Sequence, residues 1–157
     1  MEKYLRLAIN EAEKSGCRRA KRGAVIIKNG QIVSRAHNLV FPKNSFCEKR
    51  GCLRDKLRLG LGQNLERCRS IHAEALAICR AASKGISLSK TEIFMTGQPC
   101  INCAKLIYAS GVKKVYYLDV YGDRTGAIFL NKMGVLCQRT GIENDQPKRR
   151  IRDITSQ

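Results

Sequence analysis

His72-Ala73-Glu74 and Pro99-Cys100-Ile101-Asn102-Cys103 are the stretches of this chain whose residue types and spacing could do chemistry. Two cysteines three residues apart at the start of a helix can aim both sulfurs at one point, and a histidine at a neighbouring helix end can add a third ligand. Three protein ligands leave tetrahedral zinc one open position, where a bound water loses its proton near neutral pH. Helix N-termini also favour thiolate over thiol, through the positive end of the dipole. Glu74, two positions after the histidine, need not bind metal and can stand beside such a water as a proton carrier. Taken alone, the Cys-x-x-Cys pair suits a structural zinc or a redox pair equally well, and His72 suits a place in the core. Their combination, in this order, points to a catalytic metal.

The elements that would position these groups follow from apolar spacing. Tyr4, Leu5, Ala8, Ile9 and Ala12 recur at helical intervals, which predicts an amphipathic helix over 2–15 ended by Gly16. GAVIIKNGQIVSRAH reads as two strands joined by Lys28-Asn29-Gly30, because Asn-Gly favours the positive-φ turn of a hairpin. Residues 38–68 show no clean period, and so long an irregular segment in a compact domain needs something to hold it. Beyond it the spacing predicts a helix over 71–82, a strand at TEIFMT, a helix over 100–109, a strand at KKVYYLDV, a helix at AIFLNKM and a last strand at VLCQR. Strand and helix in alternation argue for an α/β sandwich with a largely parallel second half. No internal repeat or low-complexity segment interrupts this order.

Composition narrows the setting. With 157 residues, 43% of them hydrophobic, and three prolines, the chain can bury one sizeable core. One domain over 1–141 is expected, with a basic polar tail over 142–157 that is frayed or meets a partner. No stretch approaches the roughly 20 apolar residues needed to cross a bilayer, and MEKYLRLAINEAEKSG has acidic residues where a signal peptide would be apolar. The expectation is a cytoplasmic protein without membrane contact. In a reducing compartment its eight cysteines read as metal ligands or catalytic groups rather than disulfides. Lysine and arginine outnumber aspartate and glutamate 30 to 13, a formal charge of +17, so the chain should attract phosphates. The basic residues cluster at Arg18, Arg19, Lys21 and Arg22, through Lys49, Arg50, Arg54, Lys56 and Arg58, and again at Lys148, Arg149, Arg150 and Arg152. Solubility alone could account for that charge; nucleotide or nucleic-acid binding are the functional alternatives.

HxE followed by PCxxC is the signature of zinc-dependent nucleobase deaminases. HAEALAICRAA, TEIFMTGQPCINCAKLIYASGVKKVYYLDVYGD and GAVIIKNGQIVSRAHN together resemble the cytidine and deoxycytidylate deaminase family, and its deoxycytidylate branch above all, over residues 3–137. The resemblance implies a three-layer α/β/α sandwich around a five-stranded mixed sheet, with the site at the N-terminal ends of the two motif helices, and a homo-oligomer. It implies hydrolytic deamination of a cytosine nucleotide, dCMP to dUMP with loss of ammonia. Zinc would be held by His72, Cys100 and Cys103, while Glu74 would carry the water's proton to N3 and then assist the departing amine. Asn38 would contact the substrate sugar or ring, and the backbone at Ala73 would help to shape the base pocket.

The same resemblance suggests a use for the remaining thiols. Members of the deoxycytidylate branch often carry a second, structural zinc, and Cys17, Cys47, Cys52 and Cys68 fall at similar places, where they would staple the 38–70 loop to the start of the hairpin. His37 could stand in for Cys17, and these cysteines could equally be plain reduced thiols. Cys79 and Cys137 read as small core residues. The chain departs from the family around Asn38, with Ala36-His37-Asn38-Leu39 for the usual Gly-Tyr-Asn-Gly, and after the histidine motif, with Ala75-Leu76 where a polar residue and asparagine are common. These departures touch the sugar and phosphate contacts and leave the metal and proton groups intact. Besides the nucleotide deaminase, a deaminase of cytosine or adenine in RNA or single-stranded DNA, and a zinc-stabilised binding module, remain open.

Overall fold

The computed structural model describes residues 1–60, 63–120 and 123–142. An N-terminal helix α1 (Glu2–Ala12) leads into a hairpin of β1 (Gly23–Lys28) and β2 (Gln31–His37). The segment that follows contains β3 (Leu39–Val40), two short helices α2 (Phe46–Arg50) and α3 (Leu53–Lys56), a 3₁₀ turn (Leu65–Arg67) and β4 (Ser70–Ile71). Then come α4 (Ala73–Ala82), β5 (Glu92–Gly97), α5 (Ile101–Ala109), β6 (Lys114–Asp119), α6 (Thr125–Lys132) and β7 (Leu136–Arg139).

The five long strands form one mixed sheet in the order β2-β1-β5-β6-β7. β1 runs antiparallel to β2 and β5, while β5, β6 and β7 are parallel, as expected of strands joined by helices. The hairpin closes as its sequence predicts, with Lys28 opposite Gln31 and positive φ at Asn29 and Gly30. Nearly all of GAVIIK is buried, because both faces of β1 are covered. Alternate residues serve the two layers. Ala24 and Ile26 join Ile93, Met95 and Val115 under α4 to α6, whereas Val25 and Ile27 join Phe94 and Tyr116 under α1. The three-layer sandwich with its five-stranded mixed sheet is therefore the observed architecture.

Several boundaries differ from the periodicity. α1 ends at Ala12, three residues short of 15, and the chain crosses to β1 through Gly16, whose missing side chain admits the Asn44 carbonyl. The 38–68 stretch has more order than its lack of period implies: Leu39 and Val40 pair antiparallel with Ile71 and Ser70, so the predicted start of the motif helix is a strand and α4 begins at Ala73. Two-residue strands have no period to read. Ile142 lies buried against Leu5 and Phe94, so the folded body extends into the first residue of the expected tail. Residues 143–157, with the basic cluster at Lys148 to Arg152, lie outside the described residues. Cys137 is buried, and burial pushes its thiol up to about 12, but Cys79 is exposed rather than in the core. α4 buries the stripe Ala73, Ala77 and Ala81, which leaves position 79 on the far side of the helix.

Candidate functional site

Two helix starts meet at the mouth of the sheet. His72 is the N-cap of α4 and Cys100 the N-cap of α5, both with extended backbone, and Cys103 sits one turn along α5. His72 Nδ1 lies 3.6 Å from Cys100 Sγ and 3.5 Å from Cys103 Sγ. A tetrahedral zinc with Zn–S of about 2.3 Å and Zn–N of about 2.0–2.1 Å would set its nitrogen and sulfur ligands roughly 3.6 Å apart, so the donor set fits that ion. Among the described residues this is the only group of three or more His, Cys, Asp or Glu ligand atoms lying within 4.8 Å of one another.

The site is electrostatically primed. A hydrogen bond from Cys103 holds the Cys100 thiol down to about 4, and the same pairing pushes the Cys103 thiol up, since the two sulfurs share one proton. The hydrogen bond to Cys100 likewise lifts His72 to about 9, with help from the Glu74 charge. Glu74, on the first turn of α4, is buried, and desolvation raises its carboxyl above the ordinary carboxylate value. A carboxyl that retains its proton more readily in a dry site suits a group that must both accept and return one.

Gly126 supports this turn from behind. A side chain there would run into the Pro99 carbonyl oxygen at 2.2 Å, so only glycine lets α6 rest against the backbone that carries Cys100.

The triad opens into a solvent-accessible cleft lined by His72, Glu74, Cys100, Met95 and Gln98. Five arginines, Arg19, Arg22, Arg54, Arg67 and Arg69, line it as well, and among the described residues Glu74 is the only acidic group in the lining. Three of the five are engaged by the protein. Arg19 donates to the Leu59 carbonyl, Arg22 to Asp119 at 2.7 Å and to the Thr96 carbonyl, and buried Arg54 to the carbonyls of Gly60 and Gln63. Arg67 is exposed beside Glu66, and Arg69 lies over the Phe46 ring with no acidic partner among the described residues. Sequence reasoning saw basic clusters where the fold turns single arginines inward, a distinction that spacing alone cannot make.

The other expected site residues are placed as follows. Asn38 lines the cleft, but its amide is already used: Oδ1 accepts from the Arg22 N–H at 2.8 Å and Nδ2 donates to the Ala20 carbonyl at 2.9 Å. It clips the 20–22 segment to the end of β2 and has only its second lone pair and second N–H for a ligand. The Ala73 methyl packs into the main core, so its reach to a ligand is through its backbone. Cys17, Cys47, Cys52 and Cys68 all line the cleft, and burial pushes the Cys47 thiol up, with the neighbouring Cys52, Cys17 and Cys68 adding to the effect. Their sulfurs do not close to the spacing of the first triad. His37 is not among the lining residues; its Nδ1 faces Glu11 at 3.3 Å, which removes it as a substitute for Cys17. Gln98 and Arg69 were not anticipated, because no motif marks either one.

Residues 1–119 match the family described as the cytidine and deoxycytidylate deaminase zinc-binding region. The chain belongs to this family. It is 32% identical over 111 residues to ComE operon protein 2 of Bacillus subtilis, which covers 70% of this chain and 54% of that protein. It is 31% identical over 147 residues to the deoxycytidylate deaminase of Enterobacteria phage T2, covering 74% and 78% of the two chains. The chain thus spans about half the length of the Bacillus relative and most of the phage one. Among solved structures, the dCMP deaminase of cyanophage S-TIM5 in complex with dCMP and dUMP is similar with a TM-score of 0.73 and 30% identity, covering 88% of this chain and 95% of that one. No helix among the described residues is long and apolar enough to cross a membrane.

Proposed function

We propose that this chain is a zinc-dependent hydrolase that deaminates a cytosine nucleotide, converting dCMP and water to dUMP and ammonia. The observation that carries the reading is the His72, Cys100 and Cys103 triad beside buried Glu74, at the floor of a cleft lined by arginines. Its likeness to the cyanophage deaminase bound to dCMP and dUMP supports the choice of nucleotide. Zinc held by the triad would supply Lewis acidity and an acidified water at neutral pH. Glu74 accepts a proton as water adds to C4 and delivers it to N3, then takes the proton of the new C4 hydroxyl and passes it to the amine, which leaves as ammonia while C4 becomes a carbonyl. The α4 and α5 N-termini face the same point and stabilise negative charge there. The test is ammonia release from a panel of cytosine and adenine nucleosides, nucleotides and short oligonucleotides. Turnover of dCMP is expected, and conversion only of a base within an oligonucleotide would replace this reading with that of a nucleic-acid deaminase.

The phosphate is assigned to Arg69, a lining arginine whose guanidinium has neither an acidic partner nor a carbonyl acceptor among the described residues and which lies near Cys47. A charge-assisted contact is worth about 1.5–3 kcal/mol, so Arg69→Gln should lower kcat/KM for dCMP by roughly 10- to 100-fold and leave deoxycytidine, which has no phosphate, nearly unchanged. An equal loss on both substrates would remove Arg69 from phosphate binding.

A second, structural zinc is assigned to Cys17, Cys47, Cys52 and Cys68, four thiols on one cleft wall that metal would draw together. Metal analysis should find about two zinc ions per chain, and Cys52→Ala should remove one and lower the unfolding temperature before it alters turnover. A fully active preparation with one zinc refutes the assignment. Self-association, the last element of this reading, has support in Leu106 and Tyr108 of α5, Ile128 of α6 and Met133 just after it, large exposed apolar side chains on neighbouring elements.

A further inference from the structure

Three buried side-chain polar atoms have no hydrogen-bond partner among the described residues: Arg54 Nε and both polar atoms of the Gln98 amide. The Arg54 guanidinium is otherwise well served, since its Nη2 donates to two carbonyls. Gln98 is not. Its side chain is 94% buried, and its oxygen and its nitrogen are both without partners. Leaving a buried donor or acceptor unpaired forfeits its full desolvation cost, so a glutamine here is a poorer choice for packing than methionine or leucine of similar size.

The place of this residue is well determined. Gln98 follows the last residue of β5, where its backbone N–H donates to the Asp119 carbonyl at 2.9 Å. It precedes Pro99 and the ligand Cys100, and it lines the cleft together with His72 and Glu74. Behind it, Gly97 has no side chain because the Arg22 guanidinium lies 2.9 Å from where a Cβ would stand. The strand end is therefore held on one side by the Arg22 to Asp119 bridge and on the other by the proline turn. The amide has little freedom to swing out to solvent for its hydrogen bonds.

We infer that Gln98 is a substrate-contacting residue, whose amide is completed by the polar edge of the pyrimidine when the cleft is filled. Glu74 works at N3 and at the departing amine, so the polar atom of the ring left for the Gln98 amide is the C2 carbonyl oxygen, an acceptor for its N–H. Neither Glu74, which moves protons, nor the triad, which holds metal, offers a donor at that oxygen. Because the C2 carbonyl is common to dCMP and dUMP, Gln98 holds the ring in both. The inference rests on the deaminase reading of the same cleft.

The experiment compares the zinc-loaded wild type with Gln98→Met and Gln98→Glu, using dCMP as the substrate and dUMP as a product probe. Methionine preserves bulk and removes both hydrogen-bonding groups, so the unfolding temperature without ligand should be equal or higher. KM for dCMP should rise roughly tenfold or more, as expected for loss of buried hydrogen bonds to a ligand. The stabilisation of the wild type by added dCMP or dUMP should shrink in parallel. Gln98→Glu, which keeps the shape and loses the N–H donor, should show the same rise in KM while retaining zinc; it also serves if the methionine variant does not fold. An active wild type beside variants with unchanged KM and unchanged ligand-induced stabilisation overturns the inference and leaves the deaminase reading standing. A wild type that deaminates no cytosine nucleotide overturns both.

Discussion

Cys100→Ala is expected to lose zinc and deaminase activity together, and His72→Ala and Cys103→Ala to behave in the same way. The three ligand atoms already stand at the separation that a tetrahedral ion requires, so each removal opens one side of the site. Loss of an outer-shell partner of a metal ligand costs about 10- to 100-fold in affinity, and loss of a ligand should exceed that. The measurement is zinc content after dialysis against a weak chelator, alongside ammonia release. Full activity in Cys100→Ala would falsify the triad. The fold should survive the change, because the Cys100 neighbourhood is held by Gly126 of α6 and by the strand order rather than by the sulfur itself.

Glu74→Gln separates proton transfer from metal binding. Glutamine is isosteric with glutamate, so the buried site keeps its packing and zinc stays bound, while turnover falls by roughly 10²- to 10⁴-fold, the usual scale of general acid-base catalysis. Desolvation already pushes the Glu74 carboxyl towards its neutral form, which predicts an unfolding temperature unchanged or slightly raised in the variant. Retained zinc with a large drop in kcat and little change in KM is the expected pattern. If the variant loses its metal, Glu74 is a ligand or a scaffold residue and its assigned role is wrong.

Gln98 marks the limit of motif reading from the other side. Nothing in Thr96-Gly97-Gln98-Pro99 distinguishes a glutamine that meets solvent from one that is sealed with both amide atoms unpaired. Asn38 shows the converse: its position after the second hairpin strand resembles that of a substrate asparagine, yet most of its hydrogen-bonding capacity goes to the backbone of residues 20 and 22. The arginines divide in the same way. Arg54 and Lys56 look alike within one basic run, but only Arg54 lines the cleft.

The grouping of His72, Cys100 and Cys103 and the sheet beneath them were legible in the chain, because helix and strand periods, the Asn-Gly turn and the spacing of HAE and PCINC are local signals, while the roles expected of them came from the family resemblance. β1 carries such a signal: the run Gly23–Ile27 ahead of Lys28 reads as a strand, and its burial on both faces is what the packing added. The segment from residue 38 to 70 was not legible, since strands of two residues and helices of four or five carry no period, and their pairing depends on which distant residues the fold brings opposite them. The same dependence decided which cysteines line the same cleft as the triad, that Cys79 is exposed, and that five arginines line that cleft. Composition supplies a charge, but only packing determines where a guanidinium can reach an acceptor without giving up its hydration, and that is a property of the assembled layers.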